Sequence, residues 1–204
     1  MNVIESKLKD LHKDAEKDFI RMSKAKTKSG LRPMTPADYK DAYLPISKEQ
    51  GQALRQLIVE NECKQVVEFG TSFGISTIYL ADAVQQTGGK VITTELLGSK
   101  AKKASENIEE AGLSEYVELR IGDAMKTLKD YSGPIDFLFL DGWKDLYLPL
   151  FQLLEPLLEA GTLIYADNMD MAGTQAYGEY VLNKKDKYAS HMVHGGKALL
   201  TKVV

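Results

Sequence analysis

Apolar residues recur along this chain with two spacings, and the chain switches repeatedly between them. Runs that are apolar at consecutive positions predict buried strands, and longer runs with apolar residues three or four positions apart predict helices. The predicted strands are 65–69, 90–95, 116–121, 135–140, 162–166, 188–194 and 198–203. The predicted helices are 1–28, 47–60, 75–86, 99–111, 124–130, 144–158 and one more after Gly173. Strands that alternate with helices predict a parallel sheet covered on both faces.

The last two predicted strands are arranged differently from the others. They are joined by Gly195-Gly196, and two strands joined by a short glycine turn predict an antiparallel hairpin. The predicted fold class is therefore α/β: a doubly wound, mostly parallel, seven-stranded sheet with helices on both faces and an antiparallel C-terminal hairpin.

The N-terminal part of the chain carries an amphipathic pattern of its own. Six apolar residues of the predicted helix 1–28 form one stripe: Ile4, Leu8, Leu11, Ala15, Phe19 and Met22. A polar connector rich in glycine and proline follows over 24–36. We interpret residues 1–45 as a helical cap or lid on a domain formed by residues 46–204, within one globular unit. Packing of the stripe on the core is the favoured interpretation, and a contact in a homodimer is the alternative.

Composition narrows the class of protein. The chain has 204 residues, of which 44% are hydrophobic and 27% are charged, and its net charge is −3. This balance is typical of a globular domain and gives no reason to expect nucleic acid or a membrane surface as a partner. The single cysteine, Cys63, excludes an intrachain disulfide. The charged first residues and the lack of a long apolar run argue against a signal peptide and a membrane span, so we expect a cytoplasmic protein.

Acidic residues stand at or near the carboxyl end of each predicted parallel strand. They are Glu68, Glu95, Asp123, Asp141 and Asp167. In a doubly wound sheet, ligands bind beyond these strand ends. The five acids therefore predict one site at this edge of the sheet.

The loop after the first strand carries Gly70 and Gly74, with Glu68 just before them. Dinucleotide-binding loops use Gly-x-Gly-x-x-Gly to bring backbone against a pyrophosphate, where a carboxylate is unhelpful. The spacing seen here favours a ligand with positive charge and no phosphate, and S-adenosyl-L-methionine has both properties. Glycine at position 70 would let the backbone approach such a ligand closely. A strand-to-helix turn that uses glycine only for packing is the alternative.

Three further residues could complete a nucleoside site. Glu95 could accept hydrogen bonds from both ribose hydroxyls, in an adenosine-type or an NAD-type ligand alike. Asp123 could meet the amine of adenine. Trp143 could stack on adenine or form a wall of the reaction site, and filling of the core is an equal alternative.

Asp141, Asp167 and Asn168 offer three oxygen ligands from two neighbouring strand ends. Hard cations such as Mg²⁺ prefer this kind of ligand set. Lys144, three residues after Asp141, could act as a general base beside such a cation. The alternatives are Asx turns at 167–168 and a solvated lysine at 144.

Two runs of residues resemble the corresponding runs of catechol O-methyltransferases. They are Leu-Asp-Gly-Trp-Lys-Asp-Leu-Tyr-Leu-Pro at 140–149 and Ala-Asp-Asn at 166–168. The resemblance extends from Ile46 to about Gly173 and is similar in layout to caffeoyl-CoA-type and small bacterial O-methyltransferases. It implies a class I, Rossmann-like methyltransferase fold for residues 46–204.

The resemblance also implies roles for particular residues. Lys144 would deprotonate an acceptor hydroxyl, and Mg²⁺ or a similar divalent cation would be bound by Asp141, Asp167 and Asn168. The residues implied around S-adenosyl-L-methionine are Ile46, Glu68, Gly70, Ser72, Gly74, Ser76, Glu95, Leu96, Gly122, Asp123, Ala124, Asp141 and Trp143.

The chain departs from the catechol enzymes in two places. Gly142 stands where they have a histidine beside adenine. Residues 194–197 read His-Gly-Gly-Lys, with no acid where those enzymes hold the second substrate hydroxyl through a glutamate. The prediction is therefore methyl transfer to a hydroxyl oxygen of a small phenolic acceptor, without a claim to catechol itself. The alternatives are an NAD-dependent oxidoreductase and a catalytically inactive cofactor-binding module.

Overall fold

The computed structural model describes residues 2–204 as eight α-helices around one seven-stranded sheet. The helices are α1 (Val3–Ala15), α2 (Asp18–Ser29), α3 (Lys48–Glu60), α4 (Ile75–Thr87), α5 (Gly98–Glu110), α6 (Ala124–Thr127), α7 (Tyr147–Leu154) and α8 (Gln175–Leu182). The strands are β1 (Gln65–Phe69), β2 (Lys90–Glu95), β3 (Val117–Ile121), β4 (Ile135–Leu140), β5 (Leu158–Ala166), β6 (Tyr188–Val193) and β7 (Ala198–Val203).

The strand order is β3-β2-β1-β4-β5-β7-β6. Strands β1 to β5 pair in parallel, and β7 runs antiparallel to both β5 and β6. The chain winds outward from β1 in one direction and from β4 in the other, so the crevice between these two strands is the topological switch point. The predicted fold class, including its C-terminal hairpin, is confirmed.

Each face of the sheet is covered by its own group of helices. Phe137 and Phe139 of β4 pack in a cluster with α1, α3, α4 and α5, and Leu138 and Leu140 pack with α6, α7 and α8 on the other face. This two-residue alternation is the side-chain period of a strand. Both faces are buried, and this explains why β4 is apolar at nearly every position.

The N-terminal helix differs from its prediction. Two helices, α1 and α2, replace the single helix 1–28. The stripe is buried through Ala15, but Phe19 is 84% exposed and Met22 is 40% exposed. The break follows from a tertiary contact, because the buried carboxylate of Asp18 accepts a hydrogen bond from the Leu44 amide at 2.7 Å. This contact joins the start of α2 to Leu44, and the domain division at residue 45 stays a prediction.

Several other boundaries are also shifted. The predicted helix 144–158 is a short 3-10 turn at Lys144–Leu146, then α7, then a second 3-10 turn at Glu155–Leu157. Pro149 is tolerated in the first turn of α7, whereas Pro156 lies where the α-helix has ended. Helix 124–130 ends early, at Thr127, and strand 188–194 ends at Val193.

Within residues 2–204, the helices are all too short or too polar to cross a membrane. The cytoplasmic location stays a prediction.

Candidate active site

The candidate site lies at the carboxyl ends of β1, β4 and β5, around the switch point. The first two strand ends approach each other closely, because a Cβ on Gly70 would stand 2.7 Å from the carbonyl oxygen of Asp141. The backbone of Gly70 has a φ of +110°, which side-chain-bearing residues rarely adopt. Glycine at position 70 therefore lets the loops after β1 and β4 share one crevice.

Glu68 lies beneath this loop and is fully buried. Its carboxylate accepts hydrogen bonds at 2.5 Å from the hydroxyls of Ser76, Thr77 and Thr93. Burial raises the pKa of Glu68 to about 7, although the three hydroxyl donors act in the opposite direction. We expected this carboxylate beside a cationic ligand; in the structure, hydroxyls of the chain surround it, and it joins the first turn of α4 to β2. Ser76, another predicted cofactor residue, points to the same carboxylate.

Glu95 holds the loop from the side. Its two carboxylate oxygens accept hydrogen bonds from the amides of Ser72 and Leu97, both at 2.9 Å. Ser72 has a φ of +49°, so the contact stabilises a backbone conformation that serine adopts rarely. Burial raises the pKa of Glu95, while the amide of Leu97 and the charge of Lys100 lower it. The acid predicted for a ribose thus also shapes the first loop.

The other predicted cofactor residues line the same edge. Asp123 caps α6, and its carboxylate accepts a hydrogen bond from the Met125 amide at 3.0 Å. Trp143 is half-buried, with its ring centroid 6.4 Å from that of Tyr39. Leu96 is half exposed. The remaining four are buried or half-buried: Ile46, Gly74, Gly122 and Ala124.

Gly142 marks a second close approach. A Cβ at this position would stand 2.4 Å from the ring of Phe69. The departure from the catechol enzymes at position 142 therefore has a physical reason, because Phe69 fills the space that a side chain at 142 would need.

Lys144 and two carboxylates form an ionic cluster at the ends of β4 and β5. The Lys144 ammonium donates to Asp141 Oδ1 at 2.9 Å and to the Tyr147 hydroxyl at 3.0 Å. The Tyr147 hydroxyl donates to the backbone oxygen of Asp167 at 3.2 Å. Burial raises the pKa of Asp141 to about 6; Lys144 opposes this rise and Asp167 adds to it. Burial also raises the pKa of Asp167, so both carboxylates carry charge at a cost in free energy.

The chemistry of this cluster fits a hard divalent cation. Asp141 and Asp167 supply carboxylates whose charge a cation would stabilise, and Asn168 adds an amide oxygen next to them. Within residues 2–204, no group of three or more His, Cys, Asp and Glu side chains could hold a metal ion. A site here therefore depends on the amide of Asn168 and on ligands from solvent or substrate.

A cavity of about 410 Å³ lies beside this cluster. Asp167 and Asn168 line one end, and His12 of α1 and Lys197 of the hairpin line other parts. The Met169 amide donates to the backbone oxygen of Lys197 at 2.8 Å, so the hairpin turn is fixed against the Asn168 loop. A volume of this order suits a small ligand. His12, expected on the surface, is half-buried and lies 3.3 Å from the Tyr79 hydroxyl.

Three residues at the site were missed by sequence reasoning. Gln50 was predicted only as a capping partner of Ser47, yet its amide nitrogen also donates to Asp167 Oδ1 at 2.8 Å. Tyr147 lies one helical turn after Lys144, and its hydroxyl accepts a hydrogen bond from the Lys144 ammonium. Lys100 is buried beside Ser72, although it looked like one of several lysines on a polar helix. Of these three residues, only Tyr147 could have been found from the sequence, because it lies three residues after Lys144.

The doubly wound sheet, the first loop without a phosphate-binding pattern and the acids at the strand ends define the Rossmann-like methyltransferase class. A family model described as O-methyltransferase matches residues 21–194. The chain therefore belongs to the O-methyltransferase family, as the resemblance at 140–149 and 166–168 predicted.

Individual relatives agree with this assignment. A catechol O-methyltransferase of Niastella koreensis is 37% identical over 130 residues, which are 62% of this chain and 58% of the relative. Catechol O-methyltransferase B of Danio rerio is 35% identical over 147 residues, 69% of this chain and 55% of the relative. The chain thus spans little more than half the length of these curated relatives.

Among solved structures, an O-methyltransferase from Bacillus cereus in complex with SAH superposes with a TM-score of 0.71 at 25% identity. The superposition covers 87% of this chain and 94% of that one.

Proposed function

We propose that this chain transfers a methyl group from S-adenosyl-L-methionine to a hydroxyl oxygen of a small acceptor, most simply a phenol, assisted by a divalent cation. The observation that carries the proposal is the ion pair of Lys144 and Asp141 at the end of β4, next to Asp167, which lines a cavity at the end of β5. Membership of the O-methyltransferase family supports the same reaction.

The cofactor half is assigned to the loops after β1, β2 and β3. S-adenosyl-L-methionine would supply the electrophilic methyl group. Glu95 would accept hydrogen bonds from the ribose, Asp123 and Trp143 would adjoin the adenine, and the backbone near Gly70 would pass close to the methionine part. Glu68 would act indirectly, by holding α4 against β2, because its carboxylate is fully buried. The SAH complex of the Bacillus cereus protein supports this cofactor.

The acceptor half is assigned to the cavity beside Asp167. A divalent cation held by Asp141, Asp167 and Asn168 would lower the pKa of an acceptor hydroxyl. Lys144 would first give up a proton to solvent, and its neutral Nζ would then take up the hydroxyl proton. Tyr147 and Asp141 would orient that atom through the hydrogen bonds described above. Holding both reactants at the strand ends would supply much of the rate enhancement, because methyl transfer depends strongly on alignment.

The proposal is tested by incubating the purified chain with labelled S-adenosyl-L-methionine, Mg²⁺ and each member of a panel of phenols, and following label in the organic product. We expect methylated product, and thermal stabilisation by SAH but not by NAD. Stabilisation by NAD alone would favour the oxidoreductase alternative. Binding of SAH without turnover of any phenol in a panel would favour an inactive cofactor-binding module.

Dependence on the metal is tested separately. We expect exhaustive EDTA treatment to abolish turnover and Mg²⁺ to restore it, with SAH affinity changed little. Full activity after EDTA treatment would remove Asp141, Asp167 and Asn168 from the metal assignment while leaving methyl transfer intact.

A further inference from the structure

Lys100, in the first turn of α5, is buried without belonging to any role assigned above. Only 5% of its surface is exposed, and its ammonium lies 5.3 Å from the centre of the Phe73 ring. A buried ammonium is costly in free energy unless opposite charges and hydrogen bonds surround it. Its hydrogen bond goes to the Ser72 hydroxyl at 3.1 Å, within the cofactor loop.

The charges of three carboxylates favour the ionised form of Lys100. Burial lowers the pKa of Lys100, and Glu95, Asp18 and Asp41 raise it. Glu95 belongs to the cofactor pocket, whereas Asp18 and Asp41 belong to residues 18–44, which we call the N-terminal segment. The hydrogen bond to Ser72 places the ammonium where these two parts of the chain meet, because Ser72 also bonds Tyr43.

The N-terminal segment and the cofactor loop also touch directly at this point. The Ser72 hydroxyl donates to the backbone oxygen of Tyr43 at 2.6 Å. The Tyr43 ring packs on Phe73 with 4.4 Å between ring centroids. Asp18 in turn anchors the segment, because its carboxylate accepts from the Leu44 amide at 2.7 Å and from Arg21 at 2.9 Å.

We propose that Lys100 is a positioning residue that couples cofactor binding to the docking of the N-terminal segment. Its ammonium donates to the Ser72 hydroxyl, and that hydroxyl donates to the backbone oxygen of Tyr43, so these hydrogen bonds join Lys100 to the cofactor loop and to the segment. The inference rests on the proposed cofactor. It makes the segment part of the cofactor site, although no residue of the segment was predicted there.

A double-mutant cycle tests the coupling. The affinity for SAH is measured by calorimetry for the wild type, Lys100→Met, Asp18→Asn and the double variant. We expect Lys100→Met to weaken binding about tenfold or more, and Asp18→Asn to weaken it less. The loss in the double variant should fall short of the product of the single losses by at least about threefold, as expected for residues of one network. Losses that simply multiply would overturn the proposal.

Matched variants separate charge from packing. Lys102→Met, an exposed lysine on the same helix, should leave SAH affinity unchanged. Lys100→Arg keeps the charge and should retain most of the affinity. A loss as large for Lys100→Arg as for Lys100→Met would mean that packing alone matters, and would contradict the coupling role. Lys100→Arg also gives an answer if Lys100→Met does not fold.

Proteolysis gives a readout that does not depend on calorimetry. Leu31 is fully exposed just after α2, so a protease of apolar specificity should cut there when the segment loosens. We expect SAH to slow this cleavage in the wild type and in Lys102→Met but not in Lys100→Met. Equal protection in all three would overturn the proposal.

Failure of the proposed function would give a different result from failure of the coupling between Lys100 and the segment. If the wild type binds no SAH at all, the cofactor assignment is wrong. The link between Lys100 and the segment is then judged by cleavage without ligand, where Lys100→Met should be cut faster than Lys102→Met and equal rates would reject it.

Discussion

The two halves of the site differ in how their polar groups are satisfied. At the cofactor end, the carboxylates of Glu68 and Glu95 accept five hydrogen bonds from hydroxyls and amides of the chain itself. At the acceptor end, Asp141 and Asp167 each accept one side-chain hydrogen bond, from Lys144 and Gln50, and the negative charge of Asp167 adds to the rise in the pKa of Asp141. The first half is organised by the protein alone, whereas the second holds charge that a cation or a substrate would stabilise.

This difference teaches where ligands should matter for the structure itself. A loop held by hydrogen bonds within the chain needs no ligand to keep its shape, which is the condition for preorganised binding. A pair of buried carboxylates lowers the free energy of unfolding, and a bound cation would offset this loss. Variants should therefore separate the two halves, with effects on cofactor affinity at one end and effects on turnover at the other.

The largest expected effect is on turnover, through Lys144→Ala. Removal of a general base typically lowers kcat by about 10² to 10⁴. SAH affinity, measured by calorimetry, should stay nearly unchanged, because the Lys144 ammonium contacts Asp141 and Tyr147 and not the first loop.

Lys126→Ala, an exposed lysine of α6, is the matched control and should turn over like the wild type. If Lys144→Ala turned over normally, the base assignment would be wrong. If it lost SAH affinity instead, the two halves would not be separable.

The next effect is on stability, through Glu68→Gln. The pKa of Glu68 in the folded protein is raised to about 7 from an ordinary value of 4.5. The favourable contribution of the protonated group is fully present below pH 4.5 and is lost as the pH rises through about 7. The loss amounts to about 3 kcal/mol. Between pH 5 and pH 8, the wild type should therefore lose more unfolding free energy than Glu68→Gln.

Urea unfolding at both pH values measures this difference. Glu109→Gln, an exposed glutamate of α5, should follow the wild type at both. Parallel pH curves for the wild type and Glu68→Gln would show that Glu68 is ionised in the folded state at little cost.

The fold could be predicted from the sequence because the spacing of apolar residues changes where the chain passes from a strand to a helix. Strand β4 is apolar on both faces, and Ser47 with Gln50 marks the start of α3, so these elements could be predicted from local pattern. The break before α2 could not, because it depends on Asp18 meeting the amide of Leu44, 26 residues later.

The site was predictable to a similar degree. The acids at the strand ends could be placed because parallel strands end at one edge. Which way each carboxylate points could not be read from the sequence. Glu68 turns inward because three hydroxyls lie there, and these come from α4 and β2. The burial of Lys100 could not be predicted for the same reason, since its partners Ser72 and Phe73 come from a loop 27 or more residues earlier in the chain.

A smaller effect, on the free energy of unfolding, is expected at Gly142, where the loops after β1 and β4 approach each other. Gly142→Ala would place a Cβ 2.4 Å from the Phe69 ring and force the loops after β1 and β4 apart. We expect a loss of about 1–2 kcal/mol of unfolding free energy, within the usual range for overpacking. Gly98→Ala, where a Cβ meets no atom within 4 Å, is the control.

Phe69→Leu provides the rescue for this variant. In the Phe69→Leu background, Gly142→Ala should cost less than it does alone, because the smaller side chain leaves room. An unchanged cost would mean that the ring of Phe69 is not the obstacle, and that the loops tolerate a side chain at 142 by another movement.

The smallest expected effect lies in the cavity, at Lys197. Its side chain is exposed, and an exposed ion pair contributes only about 0–1 kcal/mol, so Lys197→Gln should raise the KM of a carboxylate-bearing phenol by no more than about fivefold. The KM of an uncharged phenol and the affinity for SAH should not change. Steady-state kinetics with 3,4-dihydroxybenzoate and with catechol measure the contrast. A larger change in SAH affinity than in the KM of the carboxylated acceptor would place Lys197 with the cofactor half and would contradict the division of the site into two ends.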